Sequence, residues 1–250
     1  MVASNKTGTL LPVQLRQDLV GRLRNISKLK HWQMAIAEAV KNAMDAIEES
    51  DRPGTISIIL ERGRDLASSG NGGKPVKNVT VRDNGIGFNE ANFISFCTPD
   101  SLQKQKRGGK GLGRLACLQA FERIRVHSIY KNGIWKEREL LLQCETPELA
   151  ATESNSAGTD FSTEVRLENL RAEFESAAVI DFDRLAEWLA EHFLPALVDR
   201  PKWLKSLTLT DGKDHVNLMD VIEGGAKWVE KFKIRGYDFR AVCYTITTEE

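Results

Sequence analysis

Apolar residues follow two different spacings along the chain, and these spacings predict an alternation of helices and strands. From residue 29 to residue 49 there is no Gly or Pro, and apolar residues recur every three or four positions, as in an amphipathic helix. Shorter helices are predicted at 90–96 and 115–121. Strands are predicted where β-branched residues cluster or apolar and polar residues alternate, at 55–61, 76–82, 124–130, 135–143 and 161–167. The pattern is typical of an α/β protein.

The segments before residue 29 and after residue 167 are also predicted from their apolar and polar residues. A 3–4 spaced apolar stripe predicts a helix from Pro12 to Ile26, and Asn25 or Ser27 is a candidate cap for the long helix. After residue 170 the pattern predicts a helix followed by strands, at 182–198, 204–209, 216–218 and 229–246. The polar stretch 145–157 is predicted to be a loop.

These patterns predict three parts of the chain. We expect an N-terminal arm and helix at 1–28, a main domain at 29–170, and a helix with the start of a second α+β domain at 171–250. The chain stops directly after a predicted strand, which is consistent with a fragment of a longer protein.

The long helix has one unusual polar face. At 100° per residue, Glu38, Asn42 and Asp45 fall within a narrow arc. The opposite face carries four apolar residues that we expect in a core, and these are Ile36, Val40, Ala43 and Ile47. For a helix considered alone, the polar arc is simply the side that faces water.

Two glycine-containing motifs lie further along the chain. Asp83–Phe88 (Asp-Asn-Gly-Ile-Gly-Phe) follows a predicted strand, and Gly108–Arg114 (Gly-Gly-Lys-Gly-Leu-Gly-Arg) precedes a predicted helix. Alone, the first is also explained as a turn that ends a strand, and the second lacks the spacing of a dinucleotide-binding loop. A glycine cluster before a helix nevertheless suits a phosphate, because free N–H groups and the helix dipole attract anions.

In their order and spacing, the Glu38–Ala46 segment, these two motifs and a late Gly158-Thr159 pair resemble the GHKL superfamily. Its members include the DNA gyrase B protein, the ninety-kilodalton heat-shock chaperone, sensor histidine kinases and MutL. The resemblance spans about residues 30–170 and implies a Bergerat-type ATP-binding fold. This fold is a two-layer α/β sandwich with helices on one face of a mixed sheet. The nucleotide lies between the layers, so the polar arc is expected to line a cleft.

The resemblance implies roles for the residues that bind the base. Asp83 matches the aspartate that accepts a hydrogen bond from the adenine amino group, a contact that a guanine carbonyl could not make. Thr159 matches the threonine that assists this contact through water. Gly85 and Gly87 allow the backbone to approach the base and the sugar.

The resemblance also implies how the phosphates are bound and hydrolysed. Asn42 matches the residue that binds a magnesium ion bridging the phosphates, since Mg²⁺ takes oxygen ligands and retains water. Asp45 matches a polar residue that lines the pocket, and Glu38 matches the general base that activates the attacking water. The glycine loop is expected to contact the phosphates through five residues, which are Gly109, Lys110, Gly111, Leu112 and Gly113.

The polar loop Thr98–Arg107 matches the ATP lid, although a solvated loop without contact to the nucleotide explains its composition equally well. Arg114 departs from gyrase and the chaperone, where small or apolar residues are usual. It resembles instead a less characterised group of bacterial ATP-binding proteins with a GKGxGR loop.

The expected function is Mg²⁺-dependent ATP binding and hydrolysis, in which the nucleotide state and lid closure switch conformation or dimerisation. A histidine kinase is an alternative, but His31 is the only upstream histidine and lies seven residues before Glu38, too near to belong to a separate domain. A sensor that binds ATP without hydrolysis is another alternative. The expected partners are ATP, a second copy of the chain, and an unknown protein or nucleic-acid client.

Composition bears on the expected partners and location of the protein. The chain has 35 basic and 35 acidic residues, so net charge gives no argument for nucleic acid or an anionic membrane. No apolar run approaches the roughly 18 residues of a membrane span, and residues 1–6 do not form a secretory signal. The four cysteines are scattered without a Cys-x-x-Cys pair, which argues against a zinc site or a disulfide framework. We therefore expect a cytoplasmic protein without a membrane partner.

Overall fold

A computed structural model describes residues 21, 23, 25, 27–64, 74–97, 113–143, 150–197, 201–234 and 237–246. Its helices are α1 (Gln33–Glu48), α2 (Glu90–Cys97), α3 (Gly113–Ala120), α4 (Phe182–Leu197) and α5 (Leu218–Val221). Its strands are β1 (Gly54–Arg62), β2 (Val76–Asp83), β3 (Phe121–Asn132), β4 (Ile134–Gln143), β5 (Ala150–Asn155), β6 (Ser162–Leu170), β7 (Leu204–Thr210), β8 (His215–Asn217), β9 (Ile222–Ile234) and β10 (Tyr237–Ile246). Within the described ranges, β9 and β10 pair as a hairpin and the other eight strands form one sheet.

The large sheet is mixed. Its strand order is β5-β4-β3-β6-β2-β1-β7-β8, and every neighbouring pair is antiparallel except β1 and β7. Alternate residues of the strands face the helices, as Ile56, Ile58 and Leu60 of β1 do, and they are buried there. The predicted α/β sandwich with helices on one side of a mixed sheet is thus confirmed.

The apolar face of α1 packs into the core as its periodicity predicts. The four residues expected there are almost completely buried, and they are Ile36, Val40, Ala43 and Ile47. Burying four such side chains removes apolar surface from water and is the main reason that α1 is stable in this position. The polar residues of the same helix are therefore held at a fixed distance from the sheet.

The opposite face of the sheet carries several charged pairs. Arg82 pairs with Glu164 at 2.6 Å, and Arg125 pairs with Glu168 at 3.1 Å. These pairs are partly exposed, so each contributes little to stability. They explain why polar residues alternate with apolar ones along the central strands.

Several boundaries differ from those predicted. The region 145–157, predicted as a loop, contains β5, whose polar sequence lacks the alternation that normally identifies a strand. α1 begins at Gln33 rather than at residue 29, and Trp32 occupies its N-cap position without a side-chain cap. The predicted helix from residue 12 to residue 26 lies outside the described residues except for Gly21, Leu23 and Asn25, which are helical.

The predicted boundary at residue 170 does not separate two sheets. β7 pairs in parallel with β1, and β8 continues the same sheet. Leu185, Leu189 and Phe193 of α4 are buried in the same core as α1. α4 therefore shares the core of α1, and β7 and β8 belong to the same sheet as β1.

None of the helices in the described ranges combines the length and hydrophobicity that a bilayer crossing demands.

Candidate functional site

The polar arc of α1 lies on the open side of the helix. Glu38 and Asp45 are half-buried and Asn42 is exposed, while their neighbours towards the sheet are buried. The ammonium of Lys41 lies 3.6 Å from a carboxylate oxygen of Asp45, one helical turn away. The structure thus places the three predicted residues of α1 on one accessible face.

The carboxylate of Glu38 lies against the first residue of α3. A Cβ placed on Gly113 would be only 2.6 Å from Oε2 of Glu38, so this contact requires glycine. Burial raises the pKa of Glu38, an effect that Lys41 opposes and Asp45 reinforces. A glutamate with a raised pKa is a stronger base than an exposed one, which suits proton abstraction. Gly113 and Glu38 therefore meet at the end of the glycine loop, although they are 75 positions apart in the sequence.

Asp83 is the last residue of β2 and its side chain is only 7% exposed. Its Oδ1 accepts a hydrogen bond from the backbone N–H of Gly85 at 2.8 Å. Among the described residues, no donor reaches Oδ2. Burial raises the pKa of Asp83 to about 7, although the Gly85 hydrogen bond favours the charged form. A buried acceptor of this kind is suited to an N–H group of a ligand.

The turn after Asp83 is enclosed by two other parts of the chain. The N–H of Ile86 donates to the carbonyl of Ala46 in α1 at 3.1 Å, and a Cβ on Gly85 would be 2.6 Å from the Ala46 backbone. On another side, the Arg52 guanidinium donates to the carbonyl oxygens of Asn84 and Gly85 at 2.7 and 3.2 Å. The backbone of the turn that follows Asp83 is therefore held from two sides.

Thr159 does not lie in the strand that pairs with the strand of Asp83. Thr159 is exposed and lies in the loop between β5 and β6. Thr163 is instead the register partner of Asp83 across β6 and β2, and it is 3% exposed. The sequence contains a signal for this position, because Thr163, Val165 and Leu167 share one face of a strand by their spacing of two. Thr163 is therefore a second candidate for the role that the resemblance assigns to Thr159.

Asp83 and Thr163 belong to a polar row that crosses five strands of the sheet. Register pairs connect Asp83 to Thr163, Thr163 to Ser128, Ser128 to Arg138, and Arg138 to Glu153. Residues directly opposite one another in neighbouring strands point to the same side of a sheet, which here is the side of the helices. No motif in the sequence marks Ser128 or Arg138, and both are buried.

The polar row also contacts the turn that follows Asp83. Gly87 has φ = +75°, and a Cβ there would be 2.9 Å from Oγ of Ser128. Glycine meets both requirements, since it adopts positive φ without strain and leaves room for the hydroxyl. The Ser128 hydroxyl also hydrogen-bonds to Oγ1 of Thr163 at 2.9 Å.

The remaining predicted phosphate contacts, Gly109, Lys110, Gly111 and Leu112, lie outside the described residues, as does the predicted lid from Thr98 to Arg107. In the part of the chain that the structure describes, no three His, Cys, Asp or Glu side chains converge as a metal site.

Comparison with known proteins gives one family. Residues 30–157, just over half of the chain, match the family described as histidine kinase-, DNA gyrase B-, and HSP90-like ATPase. No curated protein matches the chain. The matched range contains α1, the Asp83 turn and α3, whereas Thr159 and Thr163 lie just beyond its end. The chain belongs to the histidine kinase-, DNA gyrase B- and HSP90-like ATPase family, whose shared domain binds ATP.

Proposed function

We propose that the chain is a Mg²⁺-dependent ATPase whose nucleotide state switches its conformation or its dimerisation. The observation that supports this most strongly is the buried carboxylate of Asp83, which has one oxygen bonded to Gly85 and the other without a donor among the described residues. An exocyclic amino group of adenine would satisfy this oxygen. Guanine would place a carbonyl there and leave two acceptors facing each other.

Thr163 is the second residue that we propose for binding the base. Its hydroxyl lies beside Asp83 in the neighbouring strand and is buried together with it. A hydroxyl both donates and accepts, so it can bind a ring nitrogen of adenine through a water molecule. Thr163 thus takes the role that the resemblance gave to Thr159, and the other candidate residues keep theirs.

The phosphate end of the site is assigned to α1 and the glycine loop. Asn42 would hold the magnesium ion, which neutralises charge on the phosphates when bound. Glu38 is the general base, because it lies one helical turn from Asn42 and against the N-terminus of α3. Phosphoryl transfer to water requires mainly positioning and charge neutralisation, so one base, one metal ion and a glycine loop are sufficient. Asp45, Gly109, Lys110, Gly111 and Leu112 complete the pocket in this proposal.

The decisive experiment combines binding with product analysis. Calorimetric titration should show Mg²⁺-dependent binding of ATP and much weaker binding of GTP. Phosphate release should accompany it, whereas ATP radiolabelled on its terminal phosphate should leave no label on the protein. Label on the protein would indicate a kinase, and binding without phosphate release would indicate a sensor. Absence of ATP binding would refute the proposal.

A further inference from the structure

Arg138 is the most buried charged residue of the polar row. It lies in β4 on the face of the sheet that the helices cover, and it is 5% exposed. Its guanidinium pairs with the carboxylate of Glu90 at 2.9 Å and with that of Glu153. It also lies over the ring of Phe93, 4.3 Å from the ring centroid. The position of Arg138 is therefore restrained on several sides.

Two further contacts of Arg138 involve the turn that follows the Asp83 motif. Nη1 donates to the carbonyl oxygen of Phe88 at 3.0 Å and to that of Asn89 at 3.4 Å. From the adjacent strand, Oγ of Ser128 accepts the backbone N–H of Phe88 at 3.0 Å. Arg138 and Ser128, which are register partners, thus hold both polar groups of the Phe88 backbone.

A buried guanidinium is costly unless its charge is compensated and its donors are used. Here Glu90 and Glu153 provide the compensation. Hydrogen bonds from Lys136 and Tyr130, followed by Arg138, lower the pKa of Glu153 to about 2, so Glu153 is ionised at neutral pH. Since the planar guanidinium makes directional contacts, a flexible ammonium cannot reproduce all of them.

We propose that Arg138 is a positioning residue for the adenine site. By holding the carbonyl groups of Phe88 and Asn89, it keeps Gly87 against Ser128 and thereby keeps Asp83 and Thr163 aligned for the base. The inference rests on the proposed function, because it assigns Arg138 to the same site. Arg138 acts through the turn and contacts no reacting atom.

The test uses Arg138→Met, which retains much of the side-chain volume and removes the charge and all donors. Arg125→Met is the matched control, because Arg125 lies on the opposite face of the sheet and pairs with Glu168. Hydrogen exchange without nucleotide should show faster exchange of the Phe88 N–H in Arg138→Met only. The Kd for ATP should rise about tenfold or more, because the displaced turn should weaken the hydrogen bond that the Asp83 carboxylate accepts from the adenine amino group. The preference for ATP over GTP should fall with it, and Arg138→Lys should restore part of both properties.

The outcomes separate this inference from the proposed function. If the wild-type chain does not bind ATP, both fail. If wild type binds ATP and folded Arg138→Met shows the same Kd, the same ATP-over-GTP preference and the same exchange at Phe88, only the role of Arg138 is refuted. Should Arg138→Met not fold, Arg138→Lys serves in its place, because it keeps the charge but cannot make all the directional contacts of the guanidinium. Wild-type exchange, Kd and ATP-over-GTP preference in Arg138→Lys would then overturn the proposal, and faster exchange at Phe88 with weaker ATP binding would support it.

Discussion

The Glu38 carboxylate lies directly against Gly113, so that a Cβ on this glycine would be 2.6 Å from Oε2. The atom approached is the end of a flexible side chain, which can move without disturbing the fold. Gly113→Ala should therefore leave the melting temperature nearly unchanged but displace the proposed general base. We expect phosphate release to fall about tenfold or more, since small displacements of a catalytic group are costly.

Gly85→Ala, unlike Gly113→Ala, should destabilise the fold. Its Cβ would be 2.6 Å from the backbone of Ala46, which cannot move without moving α1. We expect a loss of stability of about 1–3 kcal/mol, typical of overpacking in a well-packed site. Thermal or chemical unfolding measures the effect. Similar stability losses in Gly85→Ala and Gly113→Ala would contradict the distinction.

The polar face of α1 predicts two different mutant phenotypes. Glu38→Ala should lower turnover by roughly two to four orders of magnitude, the range for loss of a general base, while ATP still binds. Asn42→Ala should lose Mg²⁺-dependent binding as well as turnover. Because burial raises the pKa of Glu38, the acidic limb of the wild-type rate profile should lie at a higher pH than an exposed glutamate would give. Nearly wild-type rates in Glu38→Ala would indicate that the residue only faces water.

Asp83→Asn should abolish ATP binding and leave the fold intact, because an amide presents a donor where the site requires an acceptor. The pKa of Asp83 is raised from 3.8 to about 7, and ATP binding requires the ionised form. ATP affinity should therefore increase as the pH rises through 7. Calorimetry at several pH values measures both effects, and unchanged affinity in Asp83→Asn would exclude the assignment.

The same raised pKa predicts how stability depends on pH. Between pH 3.8 and about 7, the unfolded chain has Asp83 ionised while the folded chain keeps the proton. Folding then takes up a proton, so this group's contribution to the free energy of unfolding decreases as the pH rises through that window. Asp83→Asn lacks this contribution and should be more stable than wild type at pH 8 without nucleotide. Urea unfolding of both proteins at pH 5 and pH 8 tests the sign.

Thr159 and Thr163 give a matched pair of variants. Thr163→Val preserves shape in the buried strand but removes the hydroxyl beside Asp83, and it should weaken ATP binding about tenfold, the loss expected when a buried partner is left unpaired. Thr159→Val changes an exposed loop residue and should leave the Kd within experimental error of wild type. The reverse order of effects would return the role to Thr159.

The local sequence pattern was enough to predict several elements of the fold. The apolar face of α1 and the turn after β2 were predicted correctly, because helical periodicity and turn chemistry act between residues close in sequence. The order of the motifs indicated the family, which the comparison confirmed. Gly113, the residue of α3 that contacts Glu38, also belongs to the glycine motif. The contact between these two residues was not predictable from their positions in the sequence.

Tertiary structure alone decided which residues share the site. The position of β5 depends on main-chain pairing with β4, so its polar sequence did not reveal a strand. The neighbours of Asp83 depend on strand register, since a shift by one residue would move every side chain to the other face of the sheet. Register placed Thr163 beside Asp83, Ser128 beside Thr163, and Arg138 beside Ser128. Register is set by packing of the whole sheet against the helices, and therefore no local stretch of sequence contains it.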